Sequence, residues 1–445
     1  MDMRSLFFLL ISIVTLLFTK TVYGEKIEAH KQLQQAIDEA HAGDVLIVKK
    51  GIYKGPIIIR KPIRLIAEPG AVVDGEGSEY VVTIRAPRVH IEGLTVRNSA
   101  YGKGAGVLIQ KSSHVTLKHV RIEHVHYGVY VEKGTNINLL NNTIRGRDIH
   151  FAQRGNGIHL LKTNGVVIRK NHISRVQDGI YLDWAKHTMI EKNEITNARY
   201  AIHFMYAEDG MAKENVLTEN INGMMMMVSK RFTIGYNTIA KQLDYRGYGA
   251  LIYDSEHVVM HNNTFRYNST ALSLQNARHC HIRDNEFIGN YRALHSLYEN
   301  PDIIVVKNKF LGNMEDALIQ GTPITFDDGQ KGNYWDTYRF YDFNDDGIGD
   351  TPHRIRSMYS RLLRKWPSVQ FYFQSPALSL LDTTESFFTQ AQAQGEDRFP
   401  LMEVDRNKNE TIERSWKLLL FGSILFVSSL LMIGYGRRMT YEKNC

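Results

Sequence analysis

The chain has 445 residues, with 54 Lys and Arg against 47 Asp and Glu, 18 His, and only two cysteines, Cys280 and Cys445. Its formal net charge of +7 is modest and spread along the sequence, which suits an anionic membrane surface or partner and is weak evidence for nucleic acid, which is not expected as a ligand. Two cysteines cannot build a disulfide framework, so the fold has to rest on its core, for which a chain of this length has ample material.

In chain order, the first element is a leader. A single basic residue, Arg4, precedes an apolar and small-residue run from Ser5 to Phe18, and Val22-Tyr23-Gly24 places a small residue just before Glu25. The run is too short to span a bilayer and reads as a signal peptide over residues 1–24. Residues 25–80 follow as a cap and first strands. Leu33, Ala36, Ile37 and Ala40 form a helical apolar stripe there, ahead of strands at 45–48 and 57–60.

Residues 81–330 repeat. The phrase apolar-x-apolar-x-x-Asn-x-apolar recurs with its asparagine at 142, 171, 193, 215, 237, 263, 285 and 308, at intervals of 29, 22, 22, 22, 26, 22 and 23 residues. Earlier copies at Leu94 and Val120 keep the apolar frame without the asparagine. Alternation marks each phrase as a strand with one face inward. A second short strand follows, opening on Gly128, Gly179, Ala201, Gly223, Ala271 or Ala293. Such a unit cannot bury its face alone and pairs with the next copy, and no leucine-rich or WD signature is present. The expected fold is all-β, a right-handed parallel β-helix. Its asparagines are expected at tight left-handed bends, stacked in a ladder, with inserted loops near 148–155 and 244–247.

A closing module is expected over 331–374, and within it Asp342, Asn344, Asp346 and Asp350 follow the first part of a calcium loop, with Gly347 at its sixth position. His353 stands where an EF-hand has its bidentate Glu, so a bound Ca2+ would be structural. Residues 375–415 read as an amphipathic segment, with Leu378, Leu381, Phe387 and Phe388, and then an acidic linker over 396–413. Residues 418–435 carry no charge and are flanked by Trp416 and Lys417 on one side and by Arg437 and Arg438 on the other. They are expected to form a transmembrane helix within 416–436, with 437–445 as a cytoplasmic tail. Cys445 then lies inside and Cys280 outside, so the two cannot pair.

Strand alternation sorts the second strand by face. Ile202, Phe204, Met224 and Met226 point inward, whereas the outward column runs Tyr130, His159, Tyr181, His203, Met225, Ser273, His295, with Asp183, Met205 and Met227 beside it. His203, Met205, Met225 and Met227 therefore gather one imidazole and three thioethers, and Met211 in the intervening loop is placed to reach them. Soft donors without thiolate suit copper, above all Cu(I). The competing reading is that the four consecutive methionines only fill the core. Cys280 falls in the inward column and reads as core.

The asparagine rungs, the phrase His203-Phe204-Met205-Tyr206 and the segment from Gly332-Asn333-Tyr334-Trp335-Asp336 to Gly347-Ile348-Gly349-Asp350-Thr351-Pro352 resemble the NosD family, β-helical proteins of nitrous oxide reductase maturation. The resemblance covers nearly the whole exported body. It implies a periplasmic, non-enzymatic partner of an ABC transporter permease and ATPase that helps supply copper to nitrous oxide reductase in denitrification. It also implies a copper chaperone lipoprotein as donor. The apolar run at 418–435 departs from the family's soluble members and adds a tether. The rival reading is a cell-surface carbohydrate-binding or carbohydrate-processing β-helix, for which Asp148, Asp178, Asp183, Glu208 and Asp209 are the candidate carboxylates.

Overall fold

The computed structural model describes residues 25–27, 32–355 and 395–402. The expected signal peptide, amphipathic segment, transmembrane helix and tail lie outside these residues, as does Cys445. Among the described residues no helix is long and apolar enough to cross a membrane.

Each turn of about thirteen contributes one strand to each of three parallel sheets of 13, 13 and 12 strands. In one turn sheet 1 receives Met189–Glu191, sheet 2 Glu194–Thr196 and sheet 3 Tyr200–Met205. The recurring phrase is thus two strands and a corner rather than one strand. Two residues, Lys192 and Asn193, turn that corner, and the alternation slips by one there, so that Ile190, Asn193 and Ile195 are all buried.

The asparagines stand at that corner, but not in the left-handed conformation. The residue before each one adopts it: Asn141, Lys170, Lys192, Glu214, Tyr236, Asn262, Asp284 and Lys307 have φ between 53° and 57°. The asparagines themselves are buried at 0–1% exposure and form the expected ladder. The Asn215 side-chain oxygen accepts the Asn193 backbone N–H at 2.9 Å and its Nδ2–H at 3.0 Å, and Asn215 Nδ2 donates to Ile190 O at 2.9 Å and to the next rung, Asn237, at 2.9 Å. A polar side chain fills the core corner here because all its hydrogen-bonding groups are matched. A second ladder, of Asn220, Gln242, Asn268, Asn290 and Asn313, lines the corner between sheets 2 and 3. The sequence pattern did not expose it, because Gln242 interrupts it and the inserted loop follows directly.

The core inside is continuous from Leu33 to Ile355. Phe265, Phe287, Phe310 and Trp335 stack from rung to rung with ring centroids 5.1, 5.0 and 4.1 Å apart. At the first end, Leu33, Ala36 and Ile37 of helix α1 (Leu33–Glu39) are buried as expected. Gln34 also pairs with the open edge of sheet 3, accepting Ile58 N–H at 2.6 Å and donating to Ile58 O at 3.2 Å. An edge so covered cannot recruit another strand.

At the other end the closing module takes in a segment read from sequence as linker. Gly395–Asp397 pairs antiparallel with His353–Ile355. The Asp397 side chain, fully buried, accepts Asn333 N–H at 2.7 Å and Trp335 Nε1–H at 2.8 Å, ending the asparagine ladder. Arg398 clamps Asp327 at 2.6 and 3.0 Å. The linker reading fails for 396–402 because its acidic residues mask one that is a buried acceptor.

Cys280 is core, as expected, with no exposure. Burial pushes its thiol up to about 11. A Cys445→Ser variant is therefore expected to resist thiol-reactive dyes at pH 8 until denatured. Rapid labelling of the folded protein would contradict this placement.

Candidate functional site

Sheet 3 carries the columns expected from alternation. Met224 and Met226 are 3% exposed in the core, whereas Met225 and Met227 lie half-buried on the outer face. Packing alone therefore does not account for all four methionines. In register, Tyr130 stands beside His159, His159 beside Tyr181, Tyr181 beside His203 and His203 beside Met225. Leu251 then precedes Ser273 and His295, a rung the sequence reading omitted because the inserted loop breaks the interval. The neighbouring column runs Asp183, Met205, Met227.

Met211 is the exception. It belongs to strand Glu208–Lys213 of sheet 1, in register with Met189 and Thr233, and no loop carries it to the patch. Two residues, Tyr206 and Ala207, suffice to turn the chain from sheet 3 into sheet 1, so what looked like a loop is strand.

His203 faces outward yet is only 6% exposed. Its Nδ1 lies 3.0 Å from Asp178 Oδ2, and Asp178, 1% exposed, is held by Arg199 at 2.9 and 2.8 Å. Arg199 in turn lies over the Tyr200 ring, 4.4 Å from its centroid. Burial pushes the Asp178 carboxyl up, but the hydrogen bonds from His203 and Arg199 outweigh it and hold the pKa below the ordinary value. An ionised carboxylate only accepts, so Nδ1 carries the proton. In the neutral ring Nε2 then has a free lone pair. That atom is buried and has no hydrogen-bond partner.

Rings wall the site on the other side. His203 lies 4.7 Å from the Tyr181 ring and 4.9 Å from that of Tyr200, and Tyr181 lies 4.7 Å from His159. Burial pulls His159 down to about 4 and pushes Tyr181 up to about 12, so both are neutral at physiological pH. The inserted loop borders this wall, since Asn156 contacts His159 Nδ1 at 3.2 Å and accepts Asp178 N–H at 3.2 Å. Asp178, a candidate carboxylate in the sequence, carries no linear sign of its bond to His203. The signal was positional: Asp178 is in register with Tyr200, three residues before His203.

The calcium reading finds no support among the described residues. Asp342 accepts Gly347 N–H at 2.8 Å, Asp346 accepts Ile348 N–H at 2.8 Å, and Asp350 accepts Phe343 N–H at 2.5 Å. One oxygen each of Asp342, Asp346 and Asp350 thus accepts an amide of the same turn, and Asn344 donates to Asp346 at 2.9 Å. Among the described residues no three His, Cys, Asp or Glu side chains stand together as metal ligands. The turn is instead locked to the closing segment through Gly349 N–H to Pro400 O at 2.8 Å.

The carboxylates of the rival reading are mostly paired with cations. Asp148 meets Arg175 at 2.6 Å, Asp209 meets Arg231 at 2.5 Å, and Glu208 meets Arg231 at 3.2 Å and Lys186 at 3.4 Å. Asp178 and Asp183 lie at opposite ends of one strand.

Residues 140–339 match the family model described as periplasmic copper-binding protein (NosD). The chain is 33% identical over 377 residues to a "Probable ABC transporter binding protein NosD" of Pseudomonas aeruginosa, covering 80% of this chain and 87% of that one. The chain belongs to the NosD family. A protein of the same description from Stutzerimonas stutzeri is 33% identical over 80% of this chain and 86% of its own. Solved structures share the fold at low identity. PfbA, a surface adhesin of Streptococcus pneumoniae, aligns with TM-score 0.53 at 12% identity over 65% of this chain and 89% of its own. A family 28 exopolygalacturonase of Yersinia enterocolitica aligns with TM-score 0.53 at 11% identity over 68% and 79%. The relatives within the family are described as binding proteins, which agrees with the non-enzymatic expectation at that level.

Proposed function

We propose that this chain is the extracytoplasmic, non-enzymatic scaffold of an ABC transporter system that helps deliver copper to nitrous oxide reductase. In this reading copper is cargo, held in transit by His203 Nε2 and the thioethers of Met225, Met205 and Met227. The observation that carries it is the unpartnered, buried Nε2 of His203, on a ring oriented by Asp178 and in register with Met225. A carboxylate behind an imidazole is the usual way to fix a metal-binding tautomer, and thioethers select a soft ion. The apolar run at 418–435 would keep the scaffold beside the permease and ATPase, with a copper chaperone lipoprotein as donor. The carbohydrate alternative has less support, because four of its five candidate carboxylates are taken up by cations.

The test is a Cu(I) titration of the full-length chain against a competing chelator. His203→Ala and the triple Met205, Met225, Met227→Ala variant are each expected to bind at least about a hundredfold more weakly than wild type, and Asp178→Asn about 10–100-fold more weakly. Equal affinity in wild type and His203→Ala would remove the site.

A further inference from the structure

We infer that the corner between sheets 3 and 1 beside the methionines is the seat of a partner protein with an acidic contact face that gives or takes cuprous copper. This rests on the copper reading above and names the partner of the same site. The corner is a column of left-handed residues, one per turn: Lys111, Lys133, Lys162, Trp184, Tyr206 and Val228, with φ from 49° to 55°, and then Asp254 and Asn276 beyond the methionine turns. Their backbones are hydrogen-bonded turn to turn, so their side chains form one continuous stripe.

From Lys111 to Val228 the stripe has two halves. Trp184, Tyr206 and Val228 are 50%, 39% and 44% exposed on consecutive turns, and the Trp184 and Tyr206 rings stack 4.7 Å apart at 18°. Side chains that large, exposed together and clustered, mark a contact surface more often than an ordinary exterior. The basic half has its three lysines about 4.8 Å apart along the solenoid. All three are exposed, and none forms an ion pair among the described residues. Other lysines of this surface do pair, as Lys186 with Glu208 and Lys192 with Glu214. The charge of Lys162 reaches the neighbouring Asp183, but none of the three ammonium groups is held in an ion pair among the described residues, and three stacked cations favour an acidic partner.

Position ties the stripe to the metal patch. Met205 directly precedes Tyr206 and Met227 directly precedes Val228. Exposure rises along strand Tyr200–Met205, from His203 at 6% through the half-buried Met205 to Tyr206 at 39%. The soft donors therefore open toward the stripe, and His203 lies deepest. A partner covering Trp184 and Tyr206 would bring its own ligands beside the thioethers, where an ion can pass between donor sets without entering water.

The experiment places a benzophenone amino acid at Tyr206, and for comparison at Tyr236, 58% exposed on another corner, in the full-length chain in its native membranes. A protein captured at 206 and not at 236, through a peptide rich in Asp and Glu, is then purified and loaded with Cu(I). Its binding to this chain, and its rate of copper transfer, are expected to fall at least tenfold in the Lys111→Glu, Lys133→Glu, Lys162→Glu variant. Transfer from a small Cu(I) chelate should not change. Capture of lipid, of a second copy of this chain or of no protein, or indifference to charge reversal, would overturn the inference. If charge-dependent binding persists while wild type takes no Cu(I) even from the small chelate, the seat stands and the copper reading falls.

Discussion

Asn237→Ala is expected to lower the free energy of unfolding by about 3–5 kcal/mol. Asn237 sits mid-ladder, 1% exposed. Its side-chain oxygen accepts both the backbone N–H and Nδ2–H of Asn215 at 2.9 Å. Its Nδ2 donates to Ala212 O at 2.9 Å, Gly235 O at 3.0 Å and Asn263 Oδ1 at 2.9 Å. Alanine leaves a buried amide of Asn215 without an acceptor, and each such orphan costs about 1–3 kcal/mol. Because a solenoid is held by nearest-neighbour contacts, the break should also loosen coupling between the two halves. Urea unfolding followed by circular dichroism measures both effects. Thr238→Ala, exposed on the adjoining strand, should change stability by less than about 0.5 kcal/mol. A loss under about 1 kcal/mol for Asn237→Ala would mean the ladder contributes little beyond shape.

The second large effect concerns Asp397 and pH. Burial raises its carboxyl to about 6, although the N–H groups of Asn333, Trp335 and Phe399 pull the other way. The folded pKa thus exceeds the ordinary Asp value of about 3.9. In the window between these values the native chain holds a proton that the unfolded chain has lost. Stability from this group is therefore fully present below about pH 4 and is lost as pH rises through about 6, by roughly 3 kcal/mol in all. Asp397→Asn keeps an acceptor toward Asn333 and Trp335 but turns an amide toward Phe399 N–H, a pH-independent cost. The difference in stability between wild type and Asp397→Asn should consequently change by about 2–3 kcal/mol between pH 4 and pH 7.5. Parallel pH profiles would show that the carboxylate is solvated in solution.

These two residues also show where sequence reasoning stopped. Asn237 was legible because it repeats: one residue per 22 or so, always after the same apolar frame. Asp397 was not, because its partner Trp335 is 62 residues away and its neighbours Glu396 and Arg398 read as solvent-facing. Met211 was misplaced for a related reason. Distance along the chain from Met205 suggested a loop, whereas the corner between sheets needs only two residues and strand resumes at once.

The sequence by itself determined the solenoid and the outward placement of His203, Met205, Met225 and Met227. A parallel helix repeats its register every turn, so alternation and period specify which side chains stack. Tertiary structure alone decided that His203 is deep rather than exposed, that Asp178 holds its Nδ1, and that its Nε2 is left without a partner. It also placed Asp342, Asp346 and Asp350 so that each accepts an amide of its own turn. Those outcomes depend on side-chain direction and on burial by neighbours one turn away, quantities that a linear pattern does not carry.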